Sequence, residues 1–385
     1  MVTQLPILRT SERRAFKRCP AKWWWAYREG LKPKGAEKTP LWFGTGVHLG
    51  LAEWYQPGTK RGPHPAETFA KFGGDAVTMI KTSDADEEQV AQYVDGKELG
   101  IAMLEGYVRR YGTDPQWEFI QAEQAFDLDV PWPGSDRQSV WEVEDGQVML
   151  RYAGTFDGVY RDLATGRLEL LETKTAKAIQ TSHLSLDDQA GSYWAVASYT
   201  LAKRGLIKPG ERLSGINYNF LKKALPDDRP RDAEGYATNK PTKQHYIAAL
   251  RDKVTNGRTT PITAQELAKL KVEDMEILAR ELSLTVLGDR SKVQPSPLFL
   301  REMVHRTSEE RRTQLRRIQD EALHMQAVRE KLLPVIKNPT RDCVWDCDYF
   351  TMCELQERGG DFETHKSVAY RRQDPYADHR KSTDE

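Results

Sequence analysis

Apolar positions along this chain recur at two spacings. Over 87–111 and 307–333 they fall every three or four residues, the spacing of a helix with one buried face. In the second stretch that face carries Leu315, Ile318, Ala322, Met325 and Leu332, and Thr307 with Glu310 opens it as a capping box. Residues 8–30, "LRTSERRAFKRCPAKWWWAYREG", read as a helix entered through Thr10 or Ser11. Two further helices are predicted at 42–56, behind a Gly-rich approach, and at about 186–204. Runs at 117–130, 147–161, 167–175 and 213–223 read as strands. A helix between the last two strands implies an α/β core with a crossover connection. The Pro- and Asp-rich stretch 224–245 predicts an exposed loop or insertion, and the polar tail after about 360 predicts a mobile end.

One predicted strand departs from its own pattern. "LELLETKTAK" (168–177) sets Glu169, Glu172 and Lys174 among leucines. Charged side chains are rarely buried unless they are paired or bind a metal. Upstream, "YAGTFDGVYR" (152–161) is joined to this strand through "DLATG", a turn segment ending in Gly. A hairpin centred near 164 and 165 sets Asp157 opposite Glu172, and opposed Cβ atoms lie about 5 Å apart. Lys174, two residues on, shares the face of Glu172. Two carboxylates that close repel unless a cation or a proton separates them. Hard oxygen ligands suit Mg²⁺ or Mn²⁺, and the lysine is placed to orient a water or stabilise phosphate charge. The plainer alternative is an exposed hairpin with a weak Glu172–Lys174 surface pair. The apolar residues on both faces argue against it.

Composition adds limits rather than a function. The 385 residues are 39% hydrophobic and 30% charged, with 57 basic and 57 acidic side chains and a formal net charge of +0. Any nucleic-acid binding therefore needs a locally basic groove, since global charge neither supports nor excludes it. No run approaches the roughly 18 apolar residues of a membrane span, and the N-terminus lacks the pattern of a signal peptide. A cytoplasmic protein is predicted, where thiols stay reduced. Cys19, Cys343, Cys347 and Cys353, split one and three along the chain, then suit a metal centre, zinc or iron–sulfur. The basic run 310–317 and "KWWWAY" (22–27) offer phosphate and base contacts, but a solvated helix face and core packing explain them as well.

"GTFDGVYR…LLETKTAK" resembles the D…(D/E)-x-K signature of the PD-(D/E)XK nuclease superfamily, in its RecB/Cas4-like exonuclease branch. "FGTGVHLGLAEWY" looks like the family's Gly-x-x-His helix, and "DDQAGSYWAVAS" like the branch's Gln-x-x-x-Tyr element. The resemblance implies a restriction-endonuclease-like α/β core, a mixed central sheet flanked by helices. It implies a divalent metal, Mg²⁺ or Mn²⁺, held by His48, Asp157 and Glu172, with Lys174 serving the attacking water. Gln189 and Tyr193, four apart on one helix face, would position substrate. The branch also has members with one cysteine before the core and three after it, holding a [4Fe–4S] cluster. Here Cys343 and Cys347 enclose three residues where the family usually has two, so zinc stays open beside iron–sulfur. Either metal would staple the chain ends.

These implications divide the chain into an N-terminal segment with the first cysteine (1–40), a nuclease core (41–225), an insertion and helical region (226–335), the cysteine triplet (336–360) and a polar tail (361–385). The implied activity is metal-dependent hydrolysis of DNA from an end, on single strands. Replication, repair or recombination proteins are the implied partners. Two alternatives are a non-catalytic nucleic-acid-binding subunit of such a complex and a metal–sulfur scaffold whose hairpin charges are incidental.

Overall fold

The computed structural model describes residues 5–34, 40–83, 85–133 and 148–377. In chain order, a short strand β1 (Ile7–Arg9) runs into helix α1 (Thr10–Arg18), then α2 (Pro20–Trp23), a π-helical turn (Trp24–Arg28) and strand β2 (Leu31–Pro33). The single helix expected over 8–30 is thus broken at Cys19. Pro20 has no N–H to continue the ladder and instead starts a new helix at its first position. Three helices follow: α3 (Pro40–Trp54), α4 (Pro65–Lys81) and α5 (Glu87–Tyr111). The Asp86–Gln89 capping box starts α5, and Gly112 at φ +65° ends it. The glycines of "FGTGVHLG" lie inside α3 rather than ahead of it. A Cβ at Gly46 would come within 2.6 Å of Phe72 and one at Gly50 within 2.7 Å of the Pro65 carbonyl, so both let α4 pack close.

Strands β3 (Trp117–Pro131), β4 (Val148–Asp162) and β5 (Leu168–Ala176) lead to α6 (Asp188–Lys203) and β6 (Gly215–Lys222). The chain then forms a second compact unit, residues 224–298, with α7 (Lys243–Leu250), α8 (Ala264–Leu267) and α9 (Val272–Glu281). Its own core is Tyr246, Leu250, Ile262, Leu267, Met275 and Ala279. The stretch 226–335, expected as an insertion and helical region, spans a boundary at 298. Its first part closes on itself, and its second part rejoins the first unit as β7 (Phe299–His305) and α10 (Ser308–Arg329). The Thr307–Glu310 box caps α10 in both directions. Leu315, Ile318, Ala322 and Met325 are buried, but Leu332 lies beyond the helix and is exposed.

The chain closes with α11 (Cys343–Asp346), α12 (Phe350–Glu357), α13 (Phe362–Ala369) and β8 (Tyr370–Arg372). The tail expected to be mobile after 360 is ordered to 377, because β8 pairs antiparallel with β2. Residues 378–385 lie outside the described residues.

The main sheet is mixed, with order β1-β4-β5-β6-β7 and β3 paired to β4. β1 and β6 run parallel to their partners β4 and β5; the other pairs are antiparallel. Helices cover both faces. Leu170, Val159 and Ile216 pack with Trp194 of α6 and Ile318 of α10. Leu171, Tyr160 and Leu221 pack with Val47 of α3, Phe69 of α4 and Leu104 of α5. Covering on both faces explains the continuous leucines of β5, which an exposed hairpin would not need.

Candidate active site

β4 is the strand that builds the site. β3 takes one of its edges for nearly the whole length. The opposite edge is shared: β1 pairs with Arg151–Ala153, and β5 pairs with Gly158–Arg161. Between them, 154–157 have no backbone partner on that side. The β4–β5 ladder ends at Gly158 opposite Leu171, so Asp157 and Glu172 stand at the point where the two strands part. The expected register is met to that last pair. Asp157 bridges the gap with its side chain, Oδ2 accepting the Thr173 N–H at 2.6 Å.

Each charged group at this point has a partner from the protein. His48, on α3, sets Nδ1 3.2 Å from Asp157 Oδ1. The attraction of Asp157 raises the His48 pKa to about 9, so the ring is cationic at neutral pH. Burial pushes Asp157 upward, but His48 and the Thr173 N–H outweigh it and hold the carboxyl below its usual range. Lys174 Nζ lies 2.5 Å from Glu172 Oε1. Burial, together with the nearby charge of Asp157, pushes Glu172 up to about 7 despite the lysine. Lys174 is itself held above its ordinary value, since Glu172 outweighs the cost of its burial.

The second oxygen of Glu172, Oε2, is buried and has no hydrogen-bond partner among the described residues. An orphaned carboxylate oxygen costs about 1–3 kcal/mol or more, and it is the feature that fits a cation. Among the described residues, however, no three His, Cys, Asp or Glu side chains are gathered closely enough to hold a metal ion. His48, Asp157 and Glu172 are not a ready ligand set, because His48 and Lys174 already neutralise the two carboxylates.

Gln189 and Tyr193 come from the first turns of α6, whose N-terminus Asp187 caps by accepting the N–H groups of Gln189 and Ala190. Both line a cleft of about 830 Å³ that opens along the unpaired stretch of β4 and also takes in Lys174 and residues of α1. Tyr193 is nearly buried and packs edge-on to Phe126 at 5.7 Å. Arg13 ties α6 to α1 through Ser192 and Asp188, while the Gln189 side chain borders the cleft.

A model of the PD-(D/E)XK nuclease superfamily matches residues 10–354. The chain belongs to the PD-(D/E)XK nuclease superfamily. No curated protein matches it. Membership points to a metal-dependent nuclease with nucleic acid as its substrate class. The mixed sheet between two helical layers is the architecture expected of that family.

Two features of this PD-(D/E)XK chain are less legible in its sequence. The first is Glu123, in β3 between Ala122, which pairs with Gly158, and Gln124, which pairs with Phe156. It therefore stands across from Asp157. Its φ is +40°, a left-handed value uncommon for a residue other than glycine. With His48 and Asp157 it lines one small pocket, and burial raises its carboxyl pKa against the pull of His48. The register shift between Phe119 and Gln121 hides this pairing from a simple count.

The second is the arrangement of the cysteines. Cys19, Cys343, Cys347 and Cys353 all line one cavity of about 630 Å³, with Arg18, Lys22 and Lys337 around it. None is in a disulfide. The Thr340 N–H lowers the pKa of Cys343, whereas burial raises Cys347 and pushes Cys353 up to about 11. The thiols share a cavity but do not converge into a ligand set. Protein contacts join these parts of the chain: β2 pairs with β8, and Trp25 and Tyr370 both pack on Tyr349.

Proposed function

We propose that this PD-(D/E)XK chain is a divalent-metal-dependent DNA exonuclease of RecB/Cas4-like type that prefers single-stranded ends. The parting of β4 and β5 at Asp157 and Glu172, beside an open cleft and an orphaned buried carboxylate oxygen, carries the reading. Asp157 and Glu172 would hold Mg²⁺ or Mn²⁺, with His48 as a further ligand once it gives up its proton. A bound divalent ion supplies acidification of a water and neutralisation of phosphate charge.

The chain's own groups do the rest. Lys174, kept cationic and fixed against Glu172, is placed to hold the attacking water and to stabilise charge on the phosphate. The Thr173 N–H fixes Asp157 in position, and that pre-set geometry limits the reorganisation needed at reaction. Gln189 and Tyr193 border the substrate path. The cleft volume falls in the range of pockets that enclose small molecules. That leaves room for a nucleotide or so of unpaired strand.

The four cysteines are proposed to hold a structural metal centre, [4Fe–4S] or zinc. Four free thiols around one cavity ringed by basic side chains support this, and no catalytic step is assigned to it.

The test is hydrolysis of end-labelled linear single-stranded DNA with Mg²⁺ or Mn²⁺, beside a circular substrate and a Lys174→Ala variant. Progressive shortening of the linear DNA alone, absent in the variant, is the expected result. Cutting of the circle would change the activity to endonuclease. Intact DNA in every lane would put the non-catalytic binding subunit ahead.

A further inference from the structure

Three side chains around the cleft are not used by the reaction chemistry. Arg14 of α1 and His183, in the loop that joins β5 to α6, are both exposed and border the same cleft as Lys174. Neither makes a side-chain hydrogen bond or ion pair among the described residues. Their neighbours are already committed. Lys17 is bound by Asp188 and Glu321, Arg13 by Asp188, Glu321 and Ser192, and the Arg9 guanidinium donates to the Pro375 carbonyl. The Gln189 side-chain amide likewise has no partner among the described residues. What remains free is thus one guanidinium, one imidazole and one amide.

An anion with several acceptor oxygens satisfies all three donors, but Asp187 and Asp188 on the same rim repel any anion, so a lone one is held less well than a ligand that reaches both cations, Arg14 and Lys174. Phosphates strung along a chain fit better, because one can sit at Lys174 while the next reaches Arg14. We infer that Arg14, with His183 and Gln189 across the cleft, grips a phosphate of the single strand next to the one being cut. Arg14 is then a positioning residue that sets strand affinity. This rests on the nuclease reading above. It goes beyond it in naming the groups that hold the strand where no reaction occurs.

Binding is measured by fluorescence anisotropy of a labelled oligothymidylate in chelator, so that no hydrolysis intervenes. Wild type is compared with Arg14→Ala and Arg14→Lys between about 50 and 200 mM salt. Because Arg14 is exposed and unpaired, neither substitution removes a structural contact. Arg14→Ala is expected to weaken binding about tenfold and to flatten the dependence of log K on log salt by about 0.7. Arg14→Lys keeps most of the slope. An unlabelled duplex should fail to displace the strand. Wild-type affinity and slope in Arg14→Ala would overturn the inference alone. If wild type binds no oligothymidylate at all, the nucleic-acid reading of the cleft falls with it.

Discussion

The carboxylate centre and the cysteine corner both bring together residues far apart in the chain, yet they are built differently. At the centre, each charge is buried against a protein partner: Asp157 with His48 and Thr173, Glu172 with Lys174. Such pairs cost desolvation that only good geometry offsets, so the positions are set before any ligand arrives. At the corner, four half-exposed thiols face one cavity with no mutual bonds, and a paired strand with stacked aromatics does the joining. A site made of buried ions has to be pre-built by its fold. A cluster of unpaired thiols in a cavity needs no such pre-built pairing.

The sharpest way to test that contrast is Lys174→Ala. The centre should lose about 100-fold or more in turnover, the usual cost of removing one placed charge, with an unchanged circular dichroism spectrum. A loss below about tenfold would show that Lys174 does not act at the reaction. At the corner, Cys347→Ser should leave the centre's geometry intact but release bound iron or zinc and lower Tm by about 5 °C or more. Elemental analysis and the absorption near 400 nm identify the metal, and an unchanged metal content would remove the four-cysteine proposal.

Two smaller effects sharpen the account of the centre. Glu172 has a pKa of about 7 against an ordinary 4.5, so the folded state holds a proton that the unfolded state releases between those values. Stability of the metal-free protein should therefore fall as pH rises through that window, by up to about 3 kcal/mol. Glu172→Gln should raise Tm by a few degrees at pH 8 and by much less at pH 5; a lower Tm at pH 8 would refute the burial argument. His48 has the same sign, in a higher pH window. Its stabilising pair with Asp157 is complete below the ordinary value of 6.5 and is lost as pH rises through about 9. An NMR titration of the metal-free protein should find that midpoint, and adding Mn²⁺ or Zn²⁺ should release protons if the ring becomes a ligand.

Much of this was readable in advance, for local reasons. The hairpin register follows from a short turn, and α5 from a capping box, a helical period and a terminal glycine. The start of α10 follows from Thr307 and Glu310. The helix α4 and the strands β1, β2, β7 and β8 were not anticipated, and all four strands pair with segments remote in sequence or emerge after the second unit. A three-residue strand carries too little periodicity to be seen without its partner.

Side-chain chemistry and nearest-neighbour geometry thus picked out the candidate residues: Asp157 opposite Glu172, Lys174 one pleat on, His48 on a glycine-rich helix. Only tertiary structure decided that β1 and β5 share one edge of β4, opening the cleft. It also decided that a register shift earlier in β3 brings Glu123 opposite Asp157, and that Arg14 is left unpaired while Arg13 and Lys17 are consumed. Pairing between distant strands is selected by the burial of whole faces, which no local pattern encodes.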